Sequence, residues 1–386
     1  MSTQESKRQK RRLLQELPAA DETRESTGDK RRHSDFQGIK RRFGVGSVDW
    51  DETWSSRDAK RYNYAEEGAY VYKQSLLPNI INHTWDPDDP SKLKGGTDWL
   101  CIGPPGSGKS NLALWLSLRM MEHNREKVVW RASTSRSEWL PFAPWARVCL
   151  PEGVDVEAHF EPQDPTQQGV DVDLDDIVRE VVRYRDPVHL NKELLKPGQF
   201  HVVYPDPKMR GLQEIYERDD EKQYDELEFE EGDPLNHWWF GYVHSRVFEG
   251  PHHWTTLIFD EIGDIAPEAA RNDEYAHYQK VEFLKDCWVD ARKKGLSIFA
   301  FGHSEADIHS MIRRKIRWRV TMSGTANPRK AGDVVGFSSV PMEEDIMSSR
   351  DVGTFLPYSE STFQFPPPRA PYIDEPIDMT LEINYT

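Results

Sequence analysis

Cysteine is scarce in this chain. The three among its 386 residues, Cys101, Cys149 and Cys287, lie far apart, and two sit in apolar surroundings. That argues against a disulfide framework or a zinc site and for buried thiols in a reducing compartment. Histidine shows no metal-ligand spacing either; His237 and His252-His253 fall near tryptophans and read as packing or loop residues. Also missing are an apolar run near 18 residues, a signal-peptide core and an internal repeat, so no segment is expected to span a membrane or direct export.

Positive charge is in deficit. Lys and Arg number 50 against 66 Asp and Glu, a net charge of −16, and mean hydropathy is −0.77. Residues 1–43 run the other way, with 12 basic and 7 acidic side chains, which leaves −21 on the remainder. An acid excess with Arg exceeding Lys resembles proteins of extreme halophiles, whose acidic surfaces keep them hydrated in molar salt; a generic acidic protein is the plain alternative. At 1 M salt the Debye length is about 3 Å, so simple attraction to nucleic-acid phosphates would be heavily screened.

The length suits one large α/β domain with insertions, or two modest domains. Residues 1–43 read as a mobile basic arm with clusters at 7–12, 30–32 and 40–42, either a contact for nucleic acid or an anionic surface, or a solvated tail. Residues 44–96 form an aromatic-rich lead-in. From 97 to 325, short β-type runs alternate with helical ones, the pattern of a parallel sheet with crossover helices. The expected strands are Trp99–Ile102, Lys127–Arg131, Phe200–Tyr204, Thr255–Phe259, Ser297–Phe301 and Trp318–Met322. Residues 151–236 read as an acidic insertion around one possible core strand, and 326–386 as an extended C-terminal segment.

Against this background one run stands out. Gly103-Pro104-Pro105-Gly106-Ser107-Gly108-Lys109-Ser110 fits G-x-x-x-x-G-K-[ST], the phosphate-cradling P-loop. The glycines let successive N–H groups point at a β-phosphate. Lys109 supplies charge to the β- and γ-phosphates, Ser110 is the expected Mg²⁺ ligand, and Asn111 opens a mostly apolar helix whose positive end adds to the field. Thr256-Leu257-Ile258-Phe259-Asp260-Glu261 supplies the second half of such a site at the end of an apolar strand. Asp260 fits the Walker B role of holding Mg²⁺-bound water, and Glu261 fits the general base. Asp264 reads as a turn or cap residue. The next strand ends in Gly302-His303-Ser304; in an additional-strand sheet it would lie between the other two, making His303 a sensor of the γ-phosphate. Arg292, Arg313 and Arg314 are the candidates for an arginine acting on a neighbouring subunit's nucleotide, against the plainer roles of helix-end charge and of a solvated or DNA-facing surface over 313–319.

This order of motifs resembles the FtsK/HerA branch of P-loop ATPases. The resemblance rests on GPPGSGKS, LIFDE and ARKKGLSIFAFGHSEADIHSMIRRKIRWRV within residues 97–325. Members usually carry a Thr-Gln or Ser-Gln pair where Gly302-His303 stands, so His303 replaces the glutamine. The resemblance implies an α/β P-loop NTPase fold, a RecA-like parallel sheet of the additional-strand type with flanking helices, to which this chain's composition adds the acidic insertion. It further implies ATP and Mg²⁺ as cofactors, a homo-oligomeric ring hexamer, and a DNA-translocating or genome-packaging motor, cytoplasmic or virion-associated. The alternative is an assembly ATPase, with virion or membrane-associated partner proteins, that remodels protein or membrane without moving DNA.

Overall fold

Buried strands on a parallel sheet must be apolar on both faces, and the strongest β-type runs of the sequence become its centre. The structure, a computed structural model, describes residues 7–8, 35–46, 71–72, 81, 84–85, 93–94, 96–220, 224, 227–326, 328, 347–360, 362–364, 367–373 and 379–385. The principal elements are α1 (Asp35–Phe43), β1 (Asp98–Ile102), α2 (Lys109–Asn124), β2 (Lys127–Arg131), β3 (Ala146–Pro151), β4 (Glu180–Tyr184) and β5 (Phe200–Val203). They continue with α3 (Trp238–Phe248), β6 (Thr255–Phe259), α4 (His277–Ala291), β7 (Leu296–Gly302), β8 (Trp318–Met322) and β9 (Phe355–Tyr358). The sheet order is β9-β8-β1-β7-β6-β2-β5-β3-β4, extended beyond β9 by the two-residue strands Thr362–Phe363 and Val71–Tyr72. From β8 to β4 every pairing is parallel, while β9 runs antiparallel to β8. β7 therefore lies between β1 and β6, the additional-strand arrangement.

Successive strand residues point to opposite faces, and the core divides accordingly. Trp99, Val128, Trp130 and Phe299 join Leu112 and Leu116 of α2 on one face. Leu100, Val129, Leu257 and Ile298 join Trp238 and Trp239 of α3 and Leu284 of α4 on the other. The result is three layers, helix on sheet on helix. All three cysteines are free and buried. Among the described residues no helix is long and apolar enough to cross a membrane.

Three stretches differ from the sequence expectation. Residues 151–236 do not simply decorate the sheet: besides the expected core strand, β5, this stretch supplies β4, and β3 ends at its border. Between β3 and β4, Val156–Pro162 and Val170–Val172 form a three-stranded antiparallel sheet with Met379–Tyr385 from the far C-terminus. The C-terminal segment is thus paired backbone over 355–358 and 379–385. Within the arm expected to be mobile, α1 is packed on the core. Ile39 is fully buried, Lys40 pairs with Glu122 of α2, and the Phe43 ring lies 6.1 Å from that of Phe142. The apolar residues Phe36, Ile39 and Phe43 give this short segment enough surface to bury. Lys7 and Arg8 are exposed; the rest of the first two basic clusters and most of the lead-in lie outside the described residues.

Candidate active site

The carboxyl ends of β1, β2, β6 and β7 meet at one edge of the sheet, where parallel α/β folds place ligands. The glycine loop starts there, with Gly103 N donating to Gly302 O of β7 at 3.2 Å. Gly103 has a packing reason as well as a phosphate reason: a Cβ there would lie 2.5 Å from Met322 Cβ on β8. Gly108 has φ +94°, a conformation that L side chains rarely adopt, immediately before α2 begins at Lys109.

Lys109 is buried inside the loop. Its Nζ donates to Gly103 O at 2.8 Å and to Pro104 O at 3.2 Å, and lies 3.2 Å from His303 Nδ1. An ammonium has donors only, so Nδ1 must offer a lone pair and the ring proton must sit on Nε2. Nε2 then donates to Glu261 Oε1 at 3.1 Å. A continuous chain, Lys109–His303–Glu261, links the phosphate loop to the expected base. Glu261 has φ +53°, left-handed for a non-glycine residue, which carries the side chain across to His303. Burial raises its carboxyl above the usual range, the neighbouring Asp260 charge adds to this, and His303 opposes it.

Asp260 is 8% exposed and its carboxyl is also raised, chiefly by burial, against the pull of Arg136, Arg131 and Lys109. Its partner is a residue the sequence reading missed. Glu138, on the loop after β2, lines the same cavity, and its carboxyl and that of Asp260 influence each other's protonation. Burial first, and then Asp260's charge, push Glu138 up to about 7. Glu138 Oε2 is buried and meets no N–H or O–H donor. Arg131 braces the strand end, donating to Asp260 O at 2.6 Å and Asn236 Oδ1 at 2.9 Å. Asp264 is more than a turn residue, lying 3.6 Å from Arg131 and 3.2 Å from Arg136.

These groups suit Mg²⁺. Two carboxyls, Asp260 buried and Glu138 half-buried with one buried oxygen that meets no donor, lie on the same cavity as Ser110. Among the described residues no group of three or more His, Cys, Asp or Glu could hold a metal alone. One or two carboxylates completed by water and substrate phosphate is the Mg²⁺ pattern.

The cavity measures about 750 Å³ and is lined by Pro105, Gly106, Gly108, Lys109, Ser110, Asn111, Asp260, Glu261 and His303 from the expected set. Gly103, Pro104 and Ser107 shape the loop without lining it. Asn111 is committed elsewhere: its Nδ2 donates to Pro371 O at 3.0 Å and its Oδ1 accepts from Ile373 N at 2.7 Å. Arg136, Glu138, Arg369 and Tyr372 line the cavity unforeseen; nothing local marks them, since only the fold brings them there.

None of the three expected arginines lines the cavity. Arg292 lies at the opposite, amino edge of the sheet, its carbonyl accepting from Gly96 N just before β1. Arg313 is buried, with its guanidinium 3.4 Å from Glu268. Arg314 is exposed. The basic block is divided: Arg319 is fully buried against Glu305 at 2.9 Å, whereas Arg314, Lys315 and Arg317 face outward.

No family model and no curated protein matches the chain. Among solved structures it is similar to the genome packaging NTPase B204 from Sulfolobus turreted icosahedral virus 2 bound to AMP. The identity is 11%, with 69% of this chain and 95% of that one covered and a TM-score of 0.33. It is also similar to the pCW3 conjugation coupling protein TcpA with ATPγS, at 12% identity, 79% and 70% coverage and a TM-score of 0.33. The N-terminal domain of zonular occludens toxin from Neisseria meningitidis matches at 12% identity, 58% and 75% coverage and a TM-score of 0.26.

Proposed function

We propose that this chain is a Mg²⁺-dependent ATP hydrolase that works as a DNA-translocating or genome-packaging motor. The observation that carries the hydrolase half is the Lys109–His303–Glu261 chain beside the Asp260–Glu138 pair. A loop that only bound nucleotide would need no base tied to its lysine.

The residues divide the work as follows. Lys109, held by two carbonyls and an imidazole, exchanges these partners for phosphate oxygens when the triphosphate enters. His303 holds Glu261 Oε1, leaving the carboxylate's other oxygen to take a proton from water attacking the γ-phosphorus. Its link to Lys109 makes the base's position depend on what the lysine touches, which is the property of a γ-phosphate sensor. Arg131 fixes the main chain at Asp260. Bound Mg²⁺, held through Ser110, Asp260 and Glu138, would neutralise phosphate charge and relieve the repulsion between the two carboxyls.

The motor half is supported by the motif order over 97–325 and by the outward Arg314, Lys315 and Arg317. A homo-oligomeric ring, hexameric in this reading, would let Arg292 or Arg314 reach a neighbouring subunit's nucleotide; Arg313 would have to leave Glu268 first. The acidic composition suits work at high salt, and the site of action is the cytoplasm or the virion. The inward commitment of Arg313 and Arg319 thins the basic block and favours the second reading, an assembly ATPase acting on protein or membrane. ATP hydrolysis with and without double-stranded DNA, at low and high KCl, separates the two. Stimulation by DNA supports the motor; absence of stimulation at every salt concentration refutes it.

A further inference from the structure

The cavity's lining is not all phosphate machinery. Beside the lysine and carboxyls it includes Val352, Gly353, Arg369, Ala370, Pro371 and Tyr372, all from the C-terminal segment. We infer that this segment is the nucleobase site, and that it holds the base by stacking between Tyr372 and Val352 without reading its edge. The inference rests on the reading of the glycine loop as a triphosphate site.

Three observations support it. First, the segment is seated on the phosphate loop as a fixed wall. Gly353 N donates to Ser107 O at 3.1 Å, Ala370 N donates to Gly353 O at 3.0 Å, and the Asn111 amide clamps Pro371 and Ile373 from both sides. The backbones come so close that a Cβ on Gly108 would lie 3.1 Å from Gly353 Cα. Second, Val352 at 60% and Tyr372 at 68% are the two most exposed large hydrophobic residues described. They share one cavity, so a flat apolar ligand entering it would cover both. Third, several of the wall's backbone polar groups are already used. Gly353 N and O, Ala370 N and Pro371 O have the partners just named, and Val352 O accepts from Arg369 Nε at 3.2 Å. With those groups spent, the wall offers a base its apolar faces more than backbone groups to recognise its edge. The ligand class is therefore a nucleoside triphosphate with weak selection among bases.

Calorimetric titration of the full chain with ATPγS, GTPγS and inorganic tripolyphosphate, each with Mg²⁺, tests this. Wild type is expected to bind ATPγS and GTPγS within about fivefold of each other, because stacking tolerates any base. Tyr372→Ala should weaken both nucleotides by roughly 5- to 150-fold while leaving tripolyphosphate within about twofold, and Tyr372→Phe should bind as wild type does. Tyr372 is largely exposed, so its removal strips no core. Unchanged ATPγS binding by Tyr372→Ala, an equal loss for tripolyphosphate, or a preference of more than about 100-fold for one base would each overturn the inference. Wild type binding neither nucleotide nor tripolyphosphate is a different failure, that of the phosphate site itself.

Discussion

His201 ties the sheet's stability to pH. It sits on β5, fully buried, with Nδ1 3.0 Å from Val128 O of β2 and Nε2 accepting from Lys196 N at 3.0 Å. A carbonyl on one side and an amide N–H on the other allow one neutral tautomer only. Protonation would set a second N–H against that amide without water, and Arg147, Lys127 and Lys196 add like charge. Burial is the leading cause, and His201 is pulled down to about 3. The unfolded chain's histidine takes up its proton near pH 6.5, so the stability this residue provides is complete above that value. It is lost as pH falls toward 3, because only the unfolded state accepts the proton. The slope is at most about 1.4 kcal/mol per pH unit, or about 2.7 kcal/mol lost by pH 4.5. Urea unfolding at pH 7.5 and 4.5, at one fixed KCl concentration, reads this directly. His201→Gln can donate and accept without titrating, so its acid loss should be smaller than wild type's by about 2–3 kcal/mol. Equal acid losses in the two proteins, or a His201 resonance titrating near 6.5 in the folded state, would refute the reasoning.

The site makes its own predictions. Glu138→Gln removes one of the two carboxyls, and should weaken Mn²⁺ or Mg²⁺ binding about 10- to 100-fold in direct titration while raising the melting temperature without metal. Asn111→Ala deletes two hydrogen bonds to the C-terminal segment, worth about 1 kcal/mol each, and should speed amide exchange at 369–373 before it affects the sheet. His303→Ala leaves Glu261 without its orienting donor; steady-state kinetics should show kcat reduced by up to about 10²-fold with little change in KM. A purely structural His303 would lower the melting temperature instead.

The centre of the fold was legible because its strands are dense apolar runs. Lys127–Arg131, Thr255–Phe259 and Trp318–Met322 occur with the expected ends, and β1, β5 and β7 differ by a residue or two. β3 was hidden because ARVCLP carries an arginine, a cysteine and a proline and follows another proline-rich stretch. Its Arg147 nonetheless pairs with Glu180 of β4 at 2.9 Å, so the charges that disguise both strands help to join them. Glu138 could not be found locally, since an acid after Ser-Arg-Ser resembles any loop until β2 is placed beside β6. The C-terminal wall was hidden for a related reason: Asn111 and Ile373 are 262 residues apart. The place of His303 beside Lys109 and Glu261 was legible because one residue past an additional strand is a position that pattern alone conveys.

Glu261→Gln is the most direct test of the hydrolase. It keeps the side chain's size and the oxygen that accepts from His303, and removes the ability to take a proton. In single-turnover assays with MgATP, hydrolysis should fall about 10²- to 10⁴-fold while nucleotide affinity stays within a few-fold of wild type. Hydrolysis by Glu261→Gln at the wild-type rate, with Lys109→Ala equally active, would contradict the assignment of this site.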